Sequence, residues 1–264
     1  HQVLWPFDEP LIETGRLTVA GLLRDAGYRT ACIGKWHLGW NWPTVDGSRL
    51  AATMGEFDRE QRAEFAEKVD CSRPIRGGPI DSGFDYYFGD DVPNFPPYTF
   101  IENDRVVQLP SEQKPEKMFG WPGAMAPGWR LESVMPELTR RSVQFIEESA
   151  GSSKPFFLYM PLTAPHEPVA PDDPFLGASK AGRYGDFVNE VDWSVGEVLD
   201  ALSRTKLDRN TLVIFTSDNG PENPAYARVR EQGNRSMGPW RGVKRMLWEG
   251  GQRVPFIARW PGKI

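Results

Sequence analysis

Residues 27–39 read GYRTACIGKWHLG. Tyr28–Ile33 reads as a short buried strand, bounded by Gly27 and Gly34. Just upstream, LTVAGLLRDAG (17–27) carries Leu17, Ala20 and Leu23 along one helical face, with Thr18 or Thr14 to cap it and Gly27 to stop it. A helix, a glycine and a strand in that order form half of an α/β unit. Polar residues arrive where the strand should end. Lys35 and His37 stand at i and i+2, which on an extended chain project to the same side, with Trp36 facing away.

The same grammar recurs twice downstream. SVMPELTRRSVQFIEESA (133–150) places Val134, Leu138, Phe145 and Ile146 at helical spacing, and KPFFLYMPL (154–162) follows as a continuous apolar strand. That strand empties into TAPHEPVAP (163–171), which holds His166. YGDFVNEVDWSVGEVLDALSRT (184–205) is the clearest helix, with an apolar stripe of Phe187, Val191, Val195, Val198 and Leu202. NTLVIFTSDNG (210–220) is a third buried strand, and it ends on Asp218 and Asn219. A last strand is expected over 254–260. Ligands in open α/β sheets bind beyond the carboxyl ends of strands. If the three strands are parallel neighbours, Lys35, His37, His166, Asp218 and Asn219 face one crevice.

Residues 40–130 are the least periodic part and read as an irregular insertion. GEFDREQRAEFAEKVD (55–70) suits a charged surface helix, and residues 98–107 a hairpin turning at Asn103-Asp104. Trp40, Trp42, Tyr98 and Phe100 are either packing residues under long loops or the lining of a sugar-binding cleft; packing is the simpler reading.

The bulk numbers exclude several classes. The chain has 264 residues, 39% apolar and 25% charged, an ordinary globular composition. A net charge of −5 argues against nucleic acid as a partner. No stretch approaches the ~20 apolar residues of a membrane span. Cys32 and Cys71 make no disulfide framework. The chain opens on His1 and stops at RWPGKI, and is expected to be a fragment. Nothing in it fixes an oligomeric state.

Each candidate has an ordinary reading beside its chemical one. Asp-Asn-Gly is a good turn sequence, and it also sets a carboxylate beside a carboxamide, the hard oxygens that Ca²⁺ or Mg²⁺ prefers. A lysine suits an anionic oxygen and an imidazole moves protons near neutral pH, yet taken alone the pair reads more simply as a surface lysine beside a packed histidine. The prolines flanking His166 restrict its backbone. Lys244, between WRGV and WEGG, is uninformative alone.

Taken together, five stretches resemble the sulfatase family of the alkaline phosphatase superfamily, and most closely arylsulfatase-A-like enzymes. They are LLRDAGYRTACIGKWHLG (22–39), PIRGGPIDSGFDYYFG (74–89), KPFFLYMPLTAPHEPVAP (154–171), TLVIFTSDNGPE (211–222) and RGVKRMLWEGGQRVPFIARWPG (241–262), in family order across nearly the whole chain. The resemblance implies a mostly parallel or mixed central sheet with helices on both faces, here incomplete, as one partial catalytic domain over 1–264. It implies cleavage of a small-molecule or glycan sulfate ester. Asp218 and Asn219 match two ligands of an active-site Ca²⁺, with Mg²⁺ the lesser alternative. Lys35 and His37 match the pair that holds the nucleophile. His166 and Lys244 match residues that contact the sulfate and the departing oxygen. Family habit implies a periplasmic or secreted enzyme. Competing readings are a phosphodiesterase or phosphonate hydrolase of the same superfamily, and a non-catalytic homologue that binds sulfated glycans.

The match also departs from the family. The nucleophile it implies is a formylglycine made from Cys or Ser in a Cys/Ser-x-Pro-x-Arg motif upstream of GKWHLG, together with an upstream Asp-Asp metal-ligand pair. Neither precedes Lys35 in this sequence. CSRPIR (71–76) satisfies the nucleophile pattern literally at Ser72, Pro74 and Arg76, but it lies downstream and is followed at once by Gly77, Gly78 and Pro79, where the motif should open a helix. The 264-residue chain alone is therefore expected to be inactive, with the nucleophile outside it.

Overall fold

A computed structural model describes residues 3–50 and 59–264. In chain order, helix α1 (Val19–Asp25) leads into strand β1 (Arg29–Lys35), helix α2 (Arg59–Lys68) and strand β2 (Tyr86–Asp90). The β3–β4 hairpin (Ile101–Glu102 and Arg105–Val106) and the short β5–β6 ladder (Glu112–Gln113 and Ala124–Met125) follow. Then come α3 (Val134–Ala150), β7 (Phe156–Tyr159), α4 (Gly182–Arg204), β8 (Val213–Thr216), α5 (Pro224–Gln232), α6 (Glu249–Gln252) and β9 (Phe256–Arg259).

The first unit forms as its sequence predicts. The Thr18 side chain caps α1 by accepting the Gly21 N–H at 2.9 Å. Of the predicted face Ala20 is buried and Leu23 half-buried, while Leu17, just ahead of the helix, is exposed. β1 is buried along its centre. Its alternation sends Ala31 and Ile33 into the layer under α3, and Cys32 into the opposite layer with Trp36, Trp40, Phe84 and Tyr87. Trp40 and Tyr98 are 2% and 1% exposed, so these rings pack; Trp42 packs with Trp40, and Phe100 packs on Phe88 and Trp129. The helix predicted over 55–70 is α2; residues 55–58 lie outside the described residues. It is not wholly a surface element, because Arg62 is buried against Asp8.

The central sheet runs β4-β3-β2-β1-β7. β1 is parallel to β2, with Lys35 opposite Asp90, and parallel to β7, with Cys32 opposite Tyr159. β2 was not anticipated. Its residues, interleaved with glycine and aspartate, look like turns, but Thr30 and Asp85 lock its start: the Thr30 N–H donates to the Asp85 carboxylate and the Asp85 N–H to the Thr30 hydroxyl, both at 3.0 Å.

The expectation of three parallel neighbours is corrected at the third strand. β8 is not in this sheet; it pairs antiparallel with β9. Nor is it a buried strand, for Ile214, Phe256 and Ile257 are exposed. β7 and β8 still share a foundation. Phe156 and Leu158 of β7 and Val213 of β8 all pack on Ile146 of α3 and Ala201 and Leu202 of α4. The C-terminal part of the stripe read along α4, Val198 and Leu202, supplies this contact, and its start, Phe187 and Val191, packs on Met135 of α3 and Phe215 of β8. Helices α3 and α4 thus pack against strands of both sheets.

Candidate active site

Lys35 and Lys244 are each placed by a close backbone approach that a side chain would block. Gly34 has φ +148°, and a Cβ there would lie 2.2 Å from the Pro161 carbonyl oxygen. A Cβ on Gly89 would lie 1.9 Å from the Gly34 oxygen. The two glycines let β7 and β2 close on β1, so that the Lys35 N–H donates to Pro161 O at 2.8 Å. Lys35 therefore emerges at the carboxyl end of three adjacent parallel strands.

His37 is reached by a different route from the extended i, i+2 geometry that its spacing suggests. The strand stops at Lys35, and the chain turns beside the end of β2: Trp36 N–H donates to Asp90 O at 3.0 Å and His37 N–H to Asp91 O at 3.2 Å. His37 adopts φ +50°, a left-handed conformation, while Trp36 goes to the core and bonds Gly39 O through Nε1. The His37 Nε2 lies 2.9 Å from the Leu4 carbonyl. A carbonyl only accepts, so Nε2 carries the proton and Nδ1 is the basic nitrogen. His166 is the opposite tautomer, since its Nδ1 faces the Glu167 carbonyl at 2.6 Å and Nε2 is left basic.

Lys244 reaches the site through a second glycine contact. Gly220 N–H donates to Gly251 O at 2.9 Å, and Lys244 N–H donates to Pro221 O at 2.8 Å. A Cβ on Gly220 would lie 2.0 Å from Gly250 O, and Arg245 pairs with Glu222. The WEGG loop is thereby closed onto the residues that follow Asp218.

The electrostatics show that these groups gather in one place. Burial lowers the pKa of Lys35; Asp218, Asp90 and Asp91 oppose that shift and Lys244 adds to it. Burial also lowers His37, whose bond to Leu4 opposes the shift, while the charges of Lys35, His166 and Lys244 reinforce it. His166 sits at the solvent-exposed rim and is likewise lowered by the surrounding protein and by both lysines, against Glu167 and Asp218. Lys35 and Lys244 are thus close enough to bias the protonation of both histidines, and Asp218 that of Lys35 and His166. Both imidazoles are held toward the neutral form.

Asp218 is exposed and accepts no hydrogen bond among the described residues. Asn219 donates Nδ2 to Gly220 O at 3.1 Å, leaving its Oδ1 unengaged. Two neighbouring hard oxygens without partners fit part of a divalent-cation shell, which for Ca²⁺ takes about six to eight oxygens. Among the described residues no group of three or more acidic, histidine or cysteine side chains assembles as a metal cluster.

Sequence reasoning missed Asp90 and Asp91. Burial, before any other cause, raises each to about 7, with Lys35 acting in the opposite sense on both. Asp91 accepts from Trp40 Nε1 at 3.2 Å, whereas neither Asp90 oxygen has a partner among the described residues. The signal was the pair of acids at the end of an aromatic run, where it passed for a turn. Ser72 stands on an exposed turn with its hydroxyl given to Asp70 at 2.6 Å.

Comparison with known proteins then adds an independent finding. The family model described as "Sulfatase" matches residues 5–264. An N-acetylgalactosamine-6-O-sulfatase of Bacteroides thetaiotaomicron is 33% identical, over 97% of this chain and 53% of its own length. The N-acetylgalactosamine-6-sulfatase of Homo sapiens is 35% identical, over 92% of this chain and 39% of its own length. A solved structure described with the metabolism of multiple glycosaminoglycans by Bacteroides thetaiotaomicron aligns with a TM-score of 0.75 at 28% identity, covering 98% of this chain and 58% of that one. The chain spans about half the length of the first of these curated relatives and less of the second.

Proposed function

The chain belongs to the sulfatase family, and from that premise we propose that it forms the sulfate-binding and proton-transfer half of a sulfuric ester hydrolase acting on a sulfated glycan. The observation that carries this reading is that the charges of Lys35 and Lys244 act on both His37 and His166, while that of Asp218 acts on Lys35 and His166. The names of the relatives, N-acetylgalactosamine-6-sulfatases, support a 6-sulfated amino sugar as the ring.

The roles follow from the chemistry of each side chain. Lys35 and Lys244 offset the negative charge of the sulfate group, with most effect where water is excluded. His37, with Nδ1 basic, takes a proton from the attacking oxygen. His166, with Nε2 as its exchanging nitrogen, hands a proton to the departing one. A neutral histidine suits the first task, and a proton gained from solvent at the exposed rim suits the second. Asp218 and Asn219 would hold part of the shell of a Ca²⁺ ion, which when bound offsets charge on the transferring group. The family's nucleophile is a formylglycine; we assign it to none of residues 1–264, Ser72 included. A periplasmic or secreted setting fits a glycan substrate. No helix among the described residues is long and apolar enough to cross a membrane.

The test is hydrolysis by the full-length protein of a 6-O-sulfated N-acetylgalactosaminide against a phosphodiester of similar size. Preference for the sulfate ester, with loss of turnover in His166→Asn and Lys244→Ala, supports the reading. A preference for the phosphodiester, or no turnover of either, overturns it.

A further inference from the structure

A row of aromatic rings leads away from His37. The ring of Phe95 meets that of His37 edge-on, at 5.6 Å between centroids. Trp121 stands edge-on to Phe95 at 6.4 Å, and Trp5 to Trp121 at 5.4 Å. Phe95 is buried at 7% exposure, whereas Trp5 is 40% exposed. The row therefore begins inside the site and ends in solvent.

The backbone of both tryptophans is fixed. Trp121 donates its backbone N–H to Asn94 O at 3.0 Å, and its carbonyl accepts from the buried Tyr98 hydroxyl at 2.6 Å. Trp5 lies on a tight turn whose two ends are tied by Asp8: Trp5 N–H donates to the Asp8 carboxylate at 2.7 Å, and Asp8 N–H donates back to Trp5 O at 3.1 Å. That carboxylate is itself paired with Arg62 at 3.0 Å, both side chains 1% exposed. Arg62 also bonds the Pro6 carbonyl, and the Asp8 carbonyl accepts from Trp40 N–H at 3.1 Å. One residue before Trp5, the Leu4 carbonyl holds His37. Burying an ion pair carries a desolvation cost, and here the pair holds in place a turn that presents an indole to water.

A partly exposed aromatic row that starts at His37, a group on which the charges of Lys35 and Lys244 act, suits a ligand with an anion at one end and an uncharged ring at the other. The geometry points to Trp5 and Trp121, backed by Phe95, as the subsite that stacks on the sugar ring carrying or adjoining the sulfate ester. The proposal rests on the sulfate-ester reading above. It adds the residues that choose the ring.

Calorimetric titration of the full chain with inorganic sulfate and with a 6-sulfated chondroitin disaccharide tests it, in wild type, Trp5→Ala, Trp5→Phe and Trp121→Ala. Each alanine variant should bind the disaccharide roughly tenfold more weakly, the size of a lost aromatic contact. Inorganic sulfate affinity should stay constant, and Trp5→Phe should recover most of the loss. Unchanged disaccharide affinity in both alanine variants, or equal weakening for sulfate and disaccharide, overturns the subsite while leaving the sulfate site standing. A wild type that binds neither ligand overturns the sulfate-ester reading and the subsite with it.

Discussion

The Nε2 of His37 donates to the carbonyl oxygen of Leu4 across 2.9 Å. This one bond fixes the tautomer, and so decides which nitrogen can accept a proton. It also ties the N-terminal turn to the end of β1. A glutamine at 37 can still donate to Leu4 but has no basic nitrogen. In the full-length protein, His37→Gln should lose about 10²–10⁴ in kcat and melt near the wild-type temperature. Activity within tenfold of wild type would remove His37 from the chemistry.

Lys244 pushes the pKa of both histidines down, so removing its charge must push both up. In Lys244→Met, NMR titration of the imidazole protons should show His37 and His166 each protonating at higher pH. Asp218→Asn should move His166 the other way, because Asp218 raises it. Histidines that ignore both substitutions would place Lys244 and Asp218 outside the cluster.

Glu190 on α4 is 0% exposed, accepts from the Asp172 N–H at 3.1 Å, and burial raises its pKa from the ordinary 4.5 to about 7. Its folded pKa lies above the unfolded one, so the folded state binds the proton more tightly. Its contribution to stability is therefore present at low pH and is lost as pH rises from about 4.5 to about 7. Glu190→Gln should flatten this decline, with its largest gain over wild type above pH 7. Parallel melting curves for the two proteins from pH 5 to 8 would contradict that assignment.

Asp8 and Arg62 form a pair with both side chains 1% exposed. Asp8→Ala leaves a buried guanidinium without its carboxylate and should cost about 3–5 kcal/mol of unfolding free energy. Urea denaturation measures this directly. A loss below about 1 kcal/mol would mean that water reaches Arg62.

Helix α4 could be read in the sequence because Phe187, Val191 and Leu202 are buried at helical spacing, the first two in one apolar cluster and the third in the next, and periodicity is a local property. The clustering of strand-end polar groups could be read for a similar reason: each follows an apolar run directly. β2 could not, because its strand character comes from pairing with β1 and from the Thr30–Asp85 lock, which spans 55 positions. The separation of β8 from β7 is likewise a long-range fact, since both runs look equally apolar. His37 reaches the site through a left-handed turn, which its neighbours do not announce. Asp90 and Asp91 were hidden because two acids after a glycine look like a solvated turn. Only the fold places them beside Lys35.

The central claim is that Lys35, His37, His166, Lys244 and Asp218 serve one sulfate ester. The most direct measurement is an NMR titration of the chain with N-acetylgalactosamine 6-sulfate, following the ring protons of His37 and His166 together. Both should shift with a single half-saturation point, and Lys35→Met and Lys244→Met should each move that point to higher concentration for both rings. If the two rings respond at different concentrations, or one responds alone, they belong to separate sites and the account is wrong.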